Sequence, residues 1–297
     1  MKYIIATLVI CIIILLIINI VDLNRYVVRN VAIYDEKIGN RLKVCFLTDL
    51  HNYSCTPKFF EDIKEYNPDL IICGGDIITA TPGRNQKNAY EFLEKVSAIA
   101  PTIMALGNHE YRAKIYPEKY GKMYDELTDK LKELGIEIIS NSHKDIEGSN
   151  VRVSAAEIDR LYYKRFRLHP MKDDYIESIV GKIDKDKYNI LLAHNPDYFK
   201  QYNAYGSDLI LSGHVHGGLI RLPFVHGVAH PGIKLFPKYS GGAYDDNGKF
   251  VPYADSYVSS KNSVIRLIVG CGIGYHTLPL RLFDPGELIF ISLDSKK

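Results

Sequence analysis

Tryptophan is absent from the 297 residues, and no Cys-x-x-Cys pair occurs. The five cysteines, at positions 11, 45, 55, 73 and 271, are an odd number and cannot close into a complete disulfide set. Cys45 and Cys73 fall in apolar, strand-like runs, where a free thiol behaves as a small hydrophobe. A finger-type zinc site is thereby disfavoured, and a reducing compartment mildly favoured. No long Lys/Arg run appears either. With 37 basic and 35 acidic side chains the formal charge is +2 and the pI about 8.1, a balance that argues neither for nor against nucleic acid, and it is the missing basic run that disfavours a dedicated nucleic-acid binder. Internal repeats and low-complexity tracts are missing, and the 22 tyrosines read as packing and surface.

One long apolar run is present, from Tyr3 to Val21, without a charge. At about 1.5 Å per residue it spans roughly the 30 Å hydrocarbon core of a bilayer. It exceeds the apolar stretch of about 7–15 residues in a signal peptide, and no small-x-small cleavage site follows. An uncleaved anchor over residues 1–22 is therefore expected. Lys2 precedes the run and Arg25, Arg29 and Lys37 follow it, so the charge comparison does not orient it.

Residues 23–40 read as a linker or first strand, the arm of a hairpin. The catalytic domain is then expected over 41–297. Within it, strand-like runs at Leu42–Thr48, Asp69–Cys73 and Thr102–Leu106 alternate with helical segments at Pro57–Tyr66 and Asn88–Ile99. A stripe through Tyr120, Met123, Tyr124, Leu127, Leu131 and Leu134 predicts one helix over Tyr116–Leu134, ended by Gly135. Further strands are expected at Glu137–Ser140, Val151–Ala155, Asn189–Ala193, Asp208–Ser212, Ser263–Val269 and Glu287–Ser292, with a helix near Tyr175–Ile183. Such alternation implies an α/β core with buried sheets. Between Gly217 and Lys261 the chain is rich in Gly, Pro and Tyr and reads as a long functional loop.

Five polar clusters follow apolar strands: Thr48-Asp49-Leu50-His51, Gly74-Gly75-Asp76, Gly107-Asn108-His109-Glu110, Ala193-His194-Asn195 and Gly213-His214-Val215-His216. In α/β folds ligands gather beyond the carboxyl ends of strands. Asp49 and His51 are two apart, as are His214 and His216. In extended backbone each pair projects to one side and can face one metal centre. Adjacent Asn108 and His109 point apart, which suits one ligand and one residue aimed elsewhere. Imidazole mixed with carboxylate suits two divalent ions of Mn, Fe, Zn, Co or Ni better than Ca or Mg. Two carboxylates leave surplus positive charge to hold an anionic phosphoryl group.

The set D-x-H, G-D, G-N-H-E, a later His and G-H-x-H resembles the calcineurin-like metallophosphoesterase superfamily. The run Gly-His-Val-His-Gly-Gly, then Leu-Ile-Arg-Leu-Pro, with Leu-Pro-Leu-Arg-Leu-Phe later, resembles its membrane-anchored YkuE/YaeI-like branch, which includes enzymes acting on UDP-diacylglucosamine. The resemblance runs from about Lys43 to Leu293. It implies a sandwich of two central mixed sheets flanked by helices. It also implies that Asp49, His51 and His216 bind one metal, that Asp76 bridges, and that Asn108, His194 and His214 bind the second. His109 then lies near the leaving group. One departure is visible: Ile77, Ile78 and Thr79 stand where many relatives carry a second Asp, not a metal ligand.

The expected reaction is in-line attack of a metal-bridging hydroxide on a phosphate mono- or diester, with His109 as an imidazolium beside the departing oxygen. Arg112, His276 and Arg281 are candidates for substrate contact, and His226 and His230 for the pocket entrance. Tyr162 and Tyr163, with Lys164, Arg165 and Arg167, form a small basic-aromatic patch. The substrate is expected to be a phosphorylated small molecule or a lipid-linked one, the protein a monomer, and its domain extracytoplasmic by resemblance, although the free cysteines pull the other way. A pyrophosphatase on a nucleotide-linked lipid is the alternative. A non-catalytic membrane-bound interaction protein is the remote one, and it would be expected to have lost ligands.

Overall fold

Uninterrupted apolar runs become strands buried on both faces, and they build two layers. The computed structural model describes residues 1–164, 168–222, 226–230, 234–251, 256–259, 264–275 and 278–295. Strands β1 (Tyr26–Tyr34), β2 (Leu42–Leu47), β3 (Leu70–Cys73), β4 (Thr102–Ala105) and β5 (Glu137–Ile139) belong to one sheet. The chain then crosses into β6 (Ser142–Asp145), β7 (Val151–Ala155), β8 (Tyr188–Leu192) and β9 (Leu209–Ser212) of the other. A short antiparallel pair, β10 (Arg221–Leu222) and β11 (His226–Gly227), stands apart. The second sheet gains β12 (Gly242–Tyr244) and β13 (Phe250–Val251), and the first gains β14 (Ser256–Ser259). Finally β15 (Leu267–Val269) joins the second sheet and β16 (Gly286–Asp294) the first.

The first sheet has the order β14-β1-β16-β2-β3-β4-β5 and the second β13-β12-β15-β9-β8-β7-β6, seven strands each. Both are mixed, with parallel β2-β3-β4-β5 and β7-β8-β9-β15 at their centres. The period-2 rule sorts each strand between two cores. Val44 and Phe46 of β2, with Leu70 and Ile72 of β3, face Ile190, Leu192, Leu209 and Leu211 of the other sheet. Cys45, Leu47, Ile71 and Cys73 turn outward to the helices.

Helices cover both outer faces. After α1 (Lys2–Leu23) come α2 (Pro57–Tyr66), α3 (Lys87–Ser97), α4 (Asn108–Ile115), α5 (Pro117–Tyr120) and α6 (Met123–Glu133). Phe59, Ile63, Phe92, Val96, Leu127 and Leu131 seat α2, α3 and α6 on the first sheet. On the second sheet lie α7 (Tyr175–Val180) and α8 (Phe199–Tyr205), through Ile176, Val180, Phe199 and Tyr202. The helix α1 is long and apolar enough to cross a membrane, and none of its most apolar window is buried.

Several expectations change. The interval 23–40 holds the expected first strand, β1, but it pairs in parallel with both β14 and β16 and so is an inner strand, neither linker nor hairpin arm. The helix expected over Tyr116–Leu134 is two helices, broken at Gly121, whose φ of 62° no right-handed helix accepts. The loop expected over 217–261 contains the short strands β10 to β14. Of the strand expected at Ser263–Val269, position 263 lies outside the described residues, and β15 covers Leu267–Val269.

Candidate metal centre

The parallel strands β2, β3, β4, β8 and β9 all end at one crevice, and each is followed by one of the five polar clusters. Backbone pairing continues past the strand ends: Asp49 N–H donates to Gly75 O at 3.0 Å, His51 N–H to Asp76 O at 2.9 Å, and Gly213 N–H to His194 O at 3.0 Å. The chain then turns sharply. Asp49, His51, Asp76, His214 and His216 all have left-handed backbone, with φ between 49° and 71°. For a residue other than glycine this conformation costs on the order of 1 kcal/mol, least for Asp, Asn and His. Close approach governs the glycines beside them. A methyl group on Gly107 would overlap the Asp76 carboxylate, and one on Gly213 the Asp49 carboxylate.

Three overlapping groups of ligand atoms result: Asp49, His51 and His216; His51, Asp76 and His109; and Asp76, His194 and His214. Nε2 of His51 lies 3.0 Å from Nε2 of His216, and the two rings stack. Nε2 of His216 is 3.4 Å from Asp49 Oδ1, while Nε2 of His194 is 3.2 Å from Asp76 Oδ2. Asp49 and His51 thus face one point as expected, but through left-handed turns rather than extended backbone. His214 and His216 do not share a centre. The turn at their left-handed residues sends His216 to Asp49 and His214 to Asp76.

Hydrogen bonds orient the donors. Thr48 Oγ1 donates to Asp49 Oδ2 at 2.8 Å, and His214 N–H to both Asp49 oxygens at 3.0 Å. Nδ1 of His194 lies 2.9 Å from Gly74 O, which puts a ring proton there and turns Nε2 toward the carboxylates. Burial alone would raise Asp49 and Asp76, but the surrounding imidazoles outweigh it and hold both carboxyls well below their usual range. Burial likewise would lower His194, yet Asp76 and Asp49 hold it up at about 10. Burial, with His230 and His194, keeps His214 low, in the neutral form that ligates. Asn108 Oδ1 is buried without a hydrogen-bond partner. Two buried carboxylates that draw in cationic partners, and an orphaned amide oxygen beside them, fit a divalent-metal site.

Around this cluster His109 N–H donates to Asp76 Oδ1 at 2.7 Å, and Ala80 N–H donates to His109 Nδ1 at 2.8 Å. A donor aimed at Nδ1 requires a lone pair there, so this geometry favours the neutral ring with its proton on Nε2, not the expected imidazolium. The Arg112 guanidinium sits 3.0 Å from both ring nitrogens. Glu110 was part of the sequence motif without a role, and the structure supplies one. Its carboxylate accepts from the N–H groups of Asp76, Ile77, Ile78 and Gly107 at 2.8–3.0 Å. It therefore ties the β3 and β4 loops together.

Other candidates divide. Arg281 is not available to substrate: it is buried, and its guanidinium donates to the carbonyls of Asp284, Cys271 and Gly272 at 2.9–3.3 Å. His276, Arg165 and Arg167 lie outside the described residues. His230 meets the His214 ring edge-on at 4.9 Å, whereas His226 packs on Phe250 at 4.1 Å. Tyr163 also touches His214, at 5.3 Å, a placement that no sequence signal pointed to.

The family model for calcineurin-like phosphoesterases matches residues 42–218, and the chain belongs to that family. An uncharacterized metallophosphoesterase of Helicobacter pylori (strain ATCC 700392 / 26695) is 29% identical over 277 residues, covering 91% of this chain and 65% of its own length. The chain thus spans just under two thirds of that relative. YkuE of Bacillus subtilis (strain 168), an uncharacterized metallophosphoesterase, is 26% identical over 78% of this chain and 70% of its own. Phosphodiesterase YaeI of Escherichia coli (strain K12) is 28% identical over 62% of this chain and 63% of its own.

Proposed function

We propose that this chain is a metal-dependent phosphoester hydrolase, held at a membrane by α1 and cutting a phosphate mono- or diester. The observation that carries the reading is the meeting of three ligand groups around Asp49 and Asp76 at the ends of strands from both sheets. Asp49, His51 and His216 would hold one divalent ion, Asn108, His194 and His214 a second, with Asp76 shared. Such a mixed set suits Mn, Fe, Zn, Co or Ni. When bound, the ions supply an acidified water and draw charge from the phosphoryl oxygens. Gly74 and Thr48 hold His194 and Asp49 in place for this. His109, with its proton on Nε2, donates a hydrogen bond to the departing oxygen. The Arg112 guanidinium beside it, its Nε without a partner, offers a charge-assisted contact to the phosphoryl group.

The anchored reading draws support from the last turn of α1. Asn19 Nδ2 donates to Pro279 O at 3.1 Å, Arg281 N–H to Asn19 Oδ1 at 2.8 Å, and Asp284 N–H to buried Asp22 at 3.1 Å. Cleavage of α1 as a signal sequence would strip these bonds from the domain. The branch resemblance favours an extracytoplasmic domain. A lipid-linked pyrophosphate is the second reading, favoured by exposed Leu235 and Phe236, shortly beyond His230 at the metal cluster.

Hydrolysis of bis-p-nitrophenyl phosphate and p-nitrophenyl phosphate by the full chain in detergent, with Mn²⁺ and after chelation, is the test. Metal-dependent release that disappears in Asp76→Asn is expected, and the ratio of the rates separates diesterase from monoesterase. Bound metal without release of either chromophore moves the assay to lipid pyrophosphates. A chain that neither binds metal nor hydrolyses any of these overturns the reading.

A further inference from the structure

Beyond Leu23, eight large apolar side chains are markedly exposed among the described residues, and six of them fall on two segments. Leu222, Leu235 and Phe236 lie on one, and Tyr275, Leu278 and Phe283 on the other, with exposures from 36% to 66%. The segments form one surface. Arg221 N–H donates to Leu282 O at 2.9 Å, and Leu282 N–H to Leu219 O at 2.9 Å. Val228 N–H donates to Ile220 O at 2.8 Å, and Phe236 N–H to Val228 O at 2.9 Å. Scattered apolar side chains need no explanation, but a contiguous set does.

Its position relative to α1 indicates what covers it. The backbone around Pro279 and Arg281 is hydrogen-bonded to Asn19, and Asn19 lies within the uncharged run from Tyr3 to Val21. Leu23 ends the helix four residues later, about 6 Å further along the axis. The segment from Leu278 to Phe283 therefore sits level with the last turn of the apolar helix rather than beyond it. Several of its polar groups are paired as such a place requires. Pro279 has no N–H, Leu280 N–H donates to Leu278 O at 2.8 Å, and the Arg281 guanidinium is turned inward onto carbonyls.

We infer that this rim, Leu222, Leu235, Phe236, Tyr275, Leu278 and Phe283, is a second membrane contact that dips into the bilayer interface beside α1. The inference rests on the anchored reading above. Apolar side chains with a satisfied backbone are what partition to that depth. The contact also fixes the metal centre relative to the bilayer. Arg281 grips the carbonyls of Cys271 and Gly272, while Ile273 N–H and Gly274 N–H donate to Thr48 O and Asp49 O at 3.1 and 2.9 Å. Rim, brace and Asp49 form one hydrogen-bonded path.

Because the chain has no tryptophan, each Trp introduced is the only one. Leu278→Trp, Phe283→Trp and Leu235→Trp are placed singly in the full chain. The protein is reconstituted in vesicles of equal parts phosphatidylcholine and phosphatidylglycerol, with bromines on the acyl chains near the glycerol. Ile12→Trp reports on α1, and Lys132→Trp on α6, which packs at the β5 edge away from β1. The expected result is blue-shifted emission and loss of intensity to lipid bromine at the rim positions and at Ile12→Trp, but not at Lys132→Trp. Quenching at Ile12→Trp with water-exposed rim positions overturns the rim and leaves the anchor standing. Rim emission that is blue-shifted but unquenched also overturns it, and assigns the surface to protein, such as a second copy. No quenching at Ile12→Trp overturns the anchored reading and the rim with it.

Discussion

Glu110 has no accessible surface and accepts four backbone N–H bonds beneath the metal cluster. Burial first, then the Asp76 carboxylate, pushes its pKa up, and the N–H donors oppose this. In Glu110→Gln one oxygen becomes an NH₂ group facing N–H donors. Leaving buried donors unsatisfied costs about 1–3 kcal/mol, so a lower urea midpoint at unchanged slope is expected. An unchanged midpoint would mean that Glu110 does not brace the loops. His109→Ala differs in kind. It should lower turnover by about 10²–10⁴ while metal content stays near that of the parent, since His109 is not in the proposed ligand sets. Loss of metal in that variant would move His109 into them. Asp284 provides a pH signature. It is fully buried, and burial, only partly offset by Arg281 and Arg221, raises its carboxyl to about 7. The folded state then holds a proton that the unfolded state releases near pH 3.9. The Asp284 contribution to stability therefore declines as pH rises from about 4 through about 7. Asp284→Asn should flatten that decline in chelated protein, and an unaltered profile would count against the buried ionisation.

At the scale of elements, β1 makes the sharpest demand. It lies between β14 and β16 and pairs with β16 along its whole length, Tyr26–Tyr34 against Gly286–Asp294. Removing it exposes the edge of β16 and takes Val31 and Ile33 out of the inner core. A chain starting at residue 41 should be insoluble or unfolded by circular dichroism. One starting at residue 25 should fold, though without the contacts of Asn19 and Asp22. Equal folding of both would demote β1 to an appendage. The same strand illustrates what the sequence concealed. Leu42–Leu47, Leu70–Cys73, Tyr188–Leu192 and Leu209–Ser212 are legible because strands buried on both faces are continuously apolar. The helix α4 was missed because its first turn is Asn108, His109 and Glu110, residues chosen for the site, which leaves no apolar stripe to read. Edge strand β6, Ser-His-Lys-Asp, carries no β signal because it faces solvent. At the site, strand-end positions were legible and the partition of His214 from His216 by spacing was not. Left-handed turns at single residues are set by the surrounding hydrogen bonds, and spacing rules assume extended backbone.

For the whole molecule, the site is a source of instability that a cation would relieve. Five ligand candidates hold left-handed backbone, and Asp49 and Asp76 are buried at 0% and 2% exposure among imidazoles. In the unfolded chain none of that strain or desolvation exists, and no preformed site exists either. Metal that binds only the folded state adds RT ln(1 + [L]/Kd), about 2.7 kcal/mol at a hundredfold excess over Kd. For a domain larger than about 150 residues each kcal/mol is worth roughly 2–4 °C in Tm. Chelation should therefore lower Tm by roughly 5–10 °C, and titration with Mn²⁺ should restore it in proportion to the logarithm of free metal. Asp76→Asn tests the source of the effect. It removes the charge at the carboxylate shared by two of the three ligand groups while keeping its size. Its Tm should then be nearly independent of metal, and in chelator it should lie below that of the chelated parent, because the buried His194 imidazolium loses one of its two carboxylate partners. If the parent melts at the same temperature with and without metal, the strain at the crevice is met by protein contacts alone, and the left-handed turns need another explanation.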